Sequence, residues 1–309
     1  MNSHKGQKAV SVWVVAAMIA PILQVASKES WIVVLGMGAA SAAAYYVLAV
    51  QNKESLIMPR WIRLVQYAWL VVLIAVIAEQ TALCWPSANG YPTIPLILLA
   101  LAVLSAESGW KNASRASSII FYIAVFLIGI TTIAGLRDIH AEWLTPQIRK
   151  PDGLLLTVLL LPTVTAIMPE CGNGKSGTAW VILGAAVLIS AWTAGIQSNA
   201  AQEQGYLEGV KGLSLLGVVE RFESLVSVAM TLGWFSQLTL LLAAAGQCAN
   251  DVLRKQETAG VWAAGIIAAT GVLCGMHIEA WIAAICTATI LVVLPILTIL
   301  TRKIKSRKK

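Results

Sequence analysis

The chain has 309 residues, 58% of them hydrophobic and only 12% charged, with a formal net charge of +7 and a mean hydropathy of +0.77. A soluble globular domain is nearer half apolar and a quarter charged, so this composition excludes an ordinary soluble protein. Apolar runs of about 20 residues recur along the chain without strand-like alternation, which excludes a transmembrane β-barrel and describes an all-α polytopic membrane protein.

In chain order, ten transmembrane helices are predicted, over residues 9–26, 31–51, 61–84, 92–106, 115–135, 153–169, 177–197, 218–246, 259–276 and 279–301. The first follows Lys5 and Lys8 without a small-residue cleavage site, so it reads as a retained helix and not a signal peptide. Connections are short. The expectation is one membrane domain over 1–309, with one half over about 9–135, a second over about 153–301, and a basic tail over 302–309. No soluble domain, low-complexity segment or nucleic-acid motif is visible.

Lys and Arg set the orientation, because cytoplasmic loops carry most of them. With the N-terminus inside, sixteen of the 22 fall on the inner side, and Lys28, Arg137, Arg149, Lys150, Lys211 and Arg221 on the outer. An even number of spans with both termini cytoplasmic fits this bias. The tail "RKIKSRKK" would lie against anionic lipid, so the positive charge points to membrane lipid and not to nucleic acid.

The first and sixth spans each carry a central proline, Pro21 in "WVVAAMIAPILQVASKESW" and Pro162 in "LLLTVLLLPTVTAIMPE". Proline removes a backbone donor and clashes with the preceding turn, so both helices are predicted to be kinked or unwound. Bare backbone at membrane depth persists where it lines a cavity or is covered by protein. Spans one and six hold matching places in two halves of five, the pattern of an inverted-repeat transporter with its site at the breaks.

The five cysteines have no metal-ligand spacing and read as small packing residues. The three histidines are far apart. No nucleophile–base pair or metal set is visible, so neither an enzyme nor a cofactor is expected. Glu79, more than a turn before the outer end of the third span, is a candidate gate residue or a group reaching out to water. Glu220, Arg221 and Glu223 open the eighth span. The acids suit the positive end of a helix dipole, and Glu223 or Arg221 is also placed to close an outer gate or a subunit contact.

The segment "ERFESLVSVAMTLGWFSQLTLLLAAAGQCAND" resembles the R-[IF]-E-S-L segment of the spore germination permease family, the GerAB-type B-subunits of endospore germinant receptors. "ESWIVVLGMG" resembles that family's entry to its second helix. "GWKNASR", with Gly109 and Arg115, resembles its loop between helices four and five. The likeness is close only over residues 219–250. It departs where "AAMIAP" in the first span has no glycine and where Ser108 replaces an arginine.

The resemblance implies an amino acid–polyamine–organocation superfamily fold, LeuT-like, with a five-plus-five inverted repeat and broken helices one and six. It implies residence in the inner membrane of a spore-forming bacterium, with a larger A-type and a lipoprotein C-type subunit as partners. It implies a role in sensing a small nutrient, commonly an amino acid, in a pocket between helices one, three, six and eight. Residues expected there are Ala17, Ala20 and Pro21 on helix one, Tyr67 on helix three, Pro162, Thr163 and Thr165 on helix six, and Ser227 on helix eight. The threonine hydroxyls either meet the ligand or bond back to their own helix. Tyr67 either contacts ligand or packs near the interface, and Ser227 either faces the pocket or aids helix packing. A true amino-acid transporter of the same fold, or a structural subunit with a vestigial pocket, are the alternative roles.

Overall fold

The computed structural model describes residues 2–25, 31–51, 58–84, 92–144, 153–168, 177–196, 206, 210, 222–253 and 257–307. Among them there are helices and turns and no strand. The helices are α1 (Asn2–Val25), α2 (Trp31–Gln51), α3 (Arg60–Gln80), α4 (Thr93–Glu107), α5 (Trp110–Gly135), α6 (Gly153–Leu160), α7 (Thr163–Ile167), α8 (Gly177–Ile196), α9 (Phe222–Leu253), α10 (Glu257–Leu273), α11 (Ala280–Ala288) and α12 (Leu294–Arg307). A π-helical segment, Thr289–Val293, joins the last two. Six helical segments are long and apolar enough to cross a membrane. Four shorter apolar ones lie over Val10–Gln24, Thr93–Glu107, Gly153–Ala166 and Glu257–Leu273.

The helix α9 is the axis of the bundle. It packs against α1, α3, α4, α5 and α10. Its apolar window is 72% buried, against 22% for the window spanning α5, which separates a central helix from a peripheral one. At 1.5 Å per residue its 32 residues run about 48 Å, well beyond a hydrocarbon core of about 30 Å. A second group, α2, α6, α7, α8 and α11, packs on the other side, with α1 touching both groups.

The contact between α1 and α9 is set at Gly233. A Cβ added there would stand 2.8 Å from the Ala20 nitrogen and 2.9 Å from the Ala20 Cβ. Only glycine lets the two helices approach this closely. Trp13 secures the same seam by donating its Nε1 hydrogen to the Ser236 carbonyl at 3.2 Å. Gly109 has φ +88° at the start of α5, a left-handed conformation that the tight α4–α5 turn requires and that side chains resist.

The two prolines behave differently. At Pro162 the helix breaks: α6 stops at Leu160 and α7 restarts at Thr163. Around the break the backbone bonds tighten to three-residue spacing. The Leu161 nitrogen donates to Val158 at 3.1 Å, Val164 to Leu161 at 3.0 Å and Thr165 to Pro162 at 3.2 Å. The expected break at Pro21 is absent, which corrects the prediction of two interrupted spans: α1 continues from Asn2 to Val25 with Pro21 inside. Pro21 lies one turn from the helix end, so its missing N–H forfeits a single bond, to Ala17. Ala17 and Ala20 are fully buried, and α9 presses on that turn at Gly233. No glycine in "AAMIAP" favours unwinding.

Other boundaries shift modestly. The eighth span runs to Leu253, seven residues beyond the expected 246. The third ends in a 3₁₀ turn, Thr81–Cys84. Cys84 and Cys248 are buried as packing residues, Cys286 is half-buried and Cys274 is exposed, and none of the four is in a disulfide.

Gly233→Val is expected to lower the stability of the detergent-solubilised protein by on the order of 1–3 kcal/mol, the cost of overpacking a close contact. Gly184, with open space around its Cβ position, is the control: Gly184→Ala is expected to leave the melting temperature unchanged or slightly raised. Equal melting temperatures for the two variants would refute Gly233 as the determinant of this seam.

Candidate functional site

Two polar stripes face each other across the bundle. On α3, Arg63 and Gln66 are three apart and share a face, with Leu70 one turn on. On α9, Gly233, Gln237, Ala244, Cys248 and Asp251 recur at helical spacing along one face. Where α3 begins and α9 ends, the stripes meet in an ion pair, Arg63 Nε to Asp251 Oδ2 at 3.0 Å. Arg63 is 3% exposed and Asp251 36%, so the cation sits inside the protein and its partner at the rim. The guanidinium also donates from Nη1 to Gln66 Oε1 at 3.4 Å and, weakly, to Cys248 Sγ at 3.9 Å. Gln66 Nε2 reaches Met58 Sδ at 3.7 Å.

Beside this pair is a void of about 10 Å³, room for one water, walled by Arg63, Gln66, Leu70, Val164, Met168 and Leu291 among others. Val164 belongs to α7, Met168 follows it, and Leu291 sits in the π-helical segment. The helix break and the π-helical segment thus both border the void beside the buried charge. π-helical turns are rare and occur often at functional sites.

Further along α9, Gln237 is fully buried, and neither atom of its amide has a hydrogen-bond partner among the described residues. It lies one turn from Gly233, where α1 packs, and two turns from Ala244, which lines the void by α7. An unpaired buried amide costs on the order of 1–3 kcal/mol, which a bound polar group would recover.

The residues singled out from sequence distribute as follows. Ala17, Ala20 and Pro21 are buried in α1, with Ala20 against Gly233. Thr163 and Thr165 are buried and bond back to their own chain, Thr163 to the Leu160 carbonyl and Thr165 to the Pro162 carbonyl at 2.7 Å. Pro162 turns the other way, into a second void of about 10 Å³ shared with Gly38, Ser41 and Tyr45 of α2 and with α8. Tyr67 donates its hydroxyl to the Gly260 carbonyl at 3.2 Å and so ties α3 to α10. Ser227 is buried in the first third of α9, where its carbonyl accepts from Thr231 at 2.7 Å. Glu79 lies half-buried at the far end of α3, and Glu223 half-buried in the first turn of α9. Glu220 and Arg221 lie outside the described residues.

The fold therefore brings α1, α3, α7 and α9 together, but Tyr67, Ser227, Glu79 and Glu223 stand apart from the Arg63–Gln237 seam. Sequence reasoning missed Arg63, Gln66, Gln237 and Asp251. Arg63 counted only as one charge among those near a span end. A usable signal existed in Gln66 and Gln237, two amides inside apolar runs. Among the described residues, no group of three or more His, Cys, Asp or Glu could hold a metal ion.

An all-helical bundle with spans of membrane length, built around one buried central helix, defines the class: an integral membrane protein, whose fold resembles that of a solved LeuT-type structure. Among solved structures, the chain resembles the crystal structure of MhsT in complex with L-phenylalanine. The TM-score is 0.62 and the identity 13%, over 93% of this chain and 87% of that one. No known protein-family profile matches the chain, and no curated protein matches it.

Asp251→Asn removes the countercharge of Arg63 and is expected to loosen this end of α9. In a background with Cys248 as the single cysteine, N-ethylmaleimide should then modify Cys248, 3% exposed in the intact protein, severalfold faster. An unchanged rate would show that the ion pair does not hold this end closed.

Proposed function

We propose that the chain is the permease-like membrane subunit of a spore germinant receptor. It binds a small nutrient, an amino acid, between α1, α3, the α6–α7 pair and α9, and passes a conformational change to A-type and lipoprotein C-type partner subunits. The observation that carries the binding half is the Gln237 amide, fully buried, without a hydrogen-bond partner among the described residues, and on the α9 face that meets α1. The fold is shared with a protein crystallised with L-phenylalanine, which supports an amino acid as the ligand class. The germination role rests on the resemblance over residues 219–250, a stretch that largely forms α9, the central helix.

On this reading α7 is the moving part. It is short, separated from α6 by a break whose freed groups are bonded locally, and borders the void beside Arg63. A ligand bonded to Gln237 would shift α7 and strain the Arg63–Asp251 pair. With both termini in the cytoplasm of a spore-forming bacterium, that pair closes the inner end of the bundle. The protein acts without a cofactor and without catalysis.

A transport reading draws on the same pair, since an ion pair at one end of the helices around a ligand is also what a gate requires. Proteoliposomes separate the two. The expected result is saturable binding of at least one amino acid without net uptake, and co-purification with co-expressed A- and C-type subunits. Gln237→Leu should weaken binding by about tenfold or more, the equivalent of one lost hydrogen bond, and Thr163→Phe should weaken it by filling the space beside the break. Accumulation of labelled amino acid would replace sensing by transport. Absence of binding to any amino acid would remove the nutrient-recognition role.

A further inference from the structure

At the end of the bundle opposite the Arg63–Asp251 pair there is a cavity of about 350 Å³. It lies where α3 passes into its 3₁₀ turn, α4 begins and α10 ends. Its walls are Glu79, Ala82, Pro92, Pro95, Val272 and Leu273, with Gly275 at the edge. The volume falls within the range of small-molecule pockets, about 300–1,000 Å³. Pro92 and Pro95 stiffen one wall, since their rings fix the backbone.

Glu79 is the one charged residue among these walls, and its carboxylate has no hydrogen bond or ion pair among the described residues. The adjacent Gln80 is engaged: its Oε1 accepts from Gln24 Nε2 at 2.8 Å, tying this end of α3 to α1. Gln80 is thus committed to the helix contact while Glu79 borders the cavity. A carboxylate set in an otherwise apolar wall repels anions, leaves neutral polar ligands one acceptor, and rewards a cation carried on an apolar stem.

We infer that this cavity is a binding site for an organic ammonium group on an apolar stem, with Glu79 as its counter-ion. The site is separate from the Gln237 seam and does not depend on the function proposed for it. Two sources share this chemistry: a free amine from the aqueous side that the Lys and Arg distribution makes the outer one, and an aminophospholipid headgroup from the adjoining leaflet.

The test uses the full chain in nanodiscs of phosphatidylglycerol, whose headgroup has no ammonium, with phenethylamine as probe and 2-phenylethanol as its neutral counterpart. Phenethylamine should bind saturably and more tightly than the alcohol. Glu79→Gln should weaken it by roughly tenfold or more, about 1.4 kcal/mol. Ala82→Phe, which narrows the cavity and keeps the carboxylate, should weaken it as well, while Gln237→Leu should leave it unchanged. If the amine does not bind but the protein retains phosphatidylethanolamine in native mass spectra, and Glu79→Gln loses it, the same ammonium site takes lipid. Equal binding of either ligand by wild type and Glu79→Gln, or binding of neither, overturns the assignment.

Discussion

The bundle depends on what α9 can do with its polar groups in a medium that offers them nothing. Lipid supplies no hydrogen bonds, so each polar side chain on the central helix must be paired within the protein, sheltered, or left at a cost. Most of α9 solves this with Leu and Ala. The buried exceptions include Ser227, Ser236, Thr239 and Gln247, and one stripe of the helix carries Gln237, then Cys248 and Asp251. That stripe faces α1 at Gly233 and α3 at Arg63, and the other elements near the site are arranged around those contacts. Burying Arg63 is tolerable only because Asp251 stands beside it, since a buried charge without a partner is strongly destabilising.

The broken helix follows the same logic in the backbone. The chain interrupts α6–α7 only after providing substitutes: three-residue backbone bonds and the hydroxyls of Thr163 and Thr165 occupy groups that a straight helix would have paired. The Leu160 and Pro162 carbonyls at the break are thereby satisfied within the chain.

Charge divides the molecule between its ends. One end has a buried cation closed by a rim carboxylate. The other has an open cavity with a carboxylate and, among the described residues that line it, no cation. The two sites differ in what they can recognise, and Gln237 lies between them with a neutral amide that can both donate and accept.

Much of the architecture was legible in the sequence, because membrane length and apolarity are local properties. The helical segments and the loop at Gly109 can be read residue by residue, whereas Pro21 and Pro162 read alike as breaks. Pro21 shows the limit. It is the same residue type at the matching place, yet α1 runs through it, because one lost bond near a helix end is cheap when α9 packs against that turn. Arg63 and Asp251 are 188 residues apart, and nothing local to either marks the other. The sequence by itself determined that the chain is a helical membrane bundle and where its helices lie, since the bilayer acts on each segment separately. The tertiary structure alone decided which proline breaks its helix, which cation is buried against which acid, and that the Gln237 and Gln247 amides are left without a partner among the described residues. Those outcomes depend on the energy of contacts between segments that are distant in the chain.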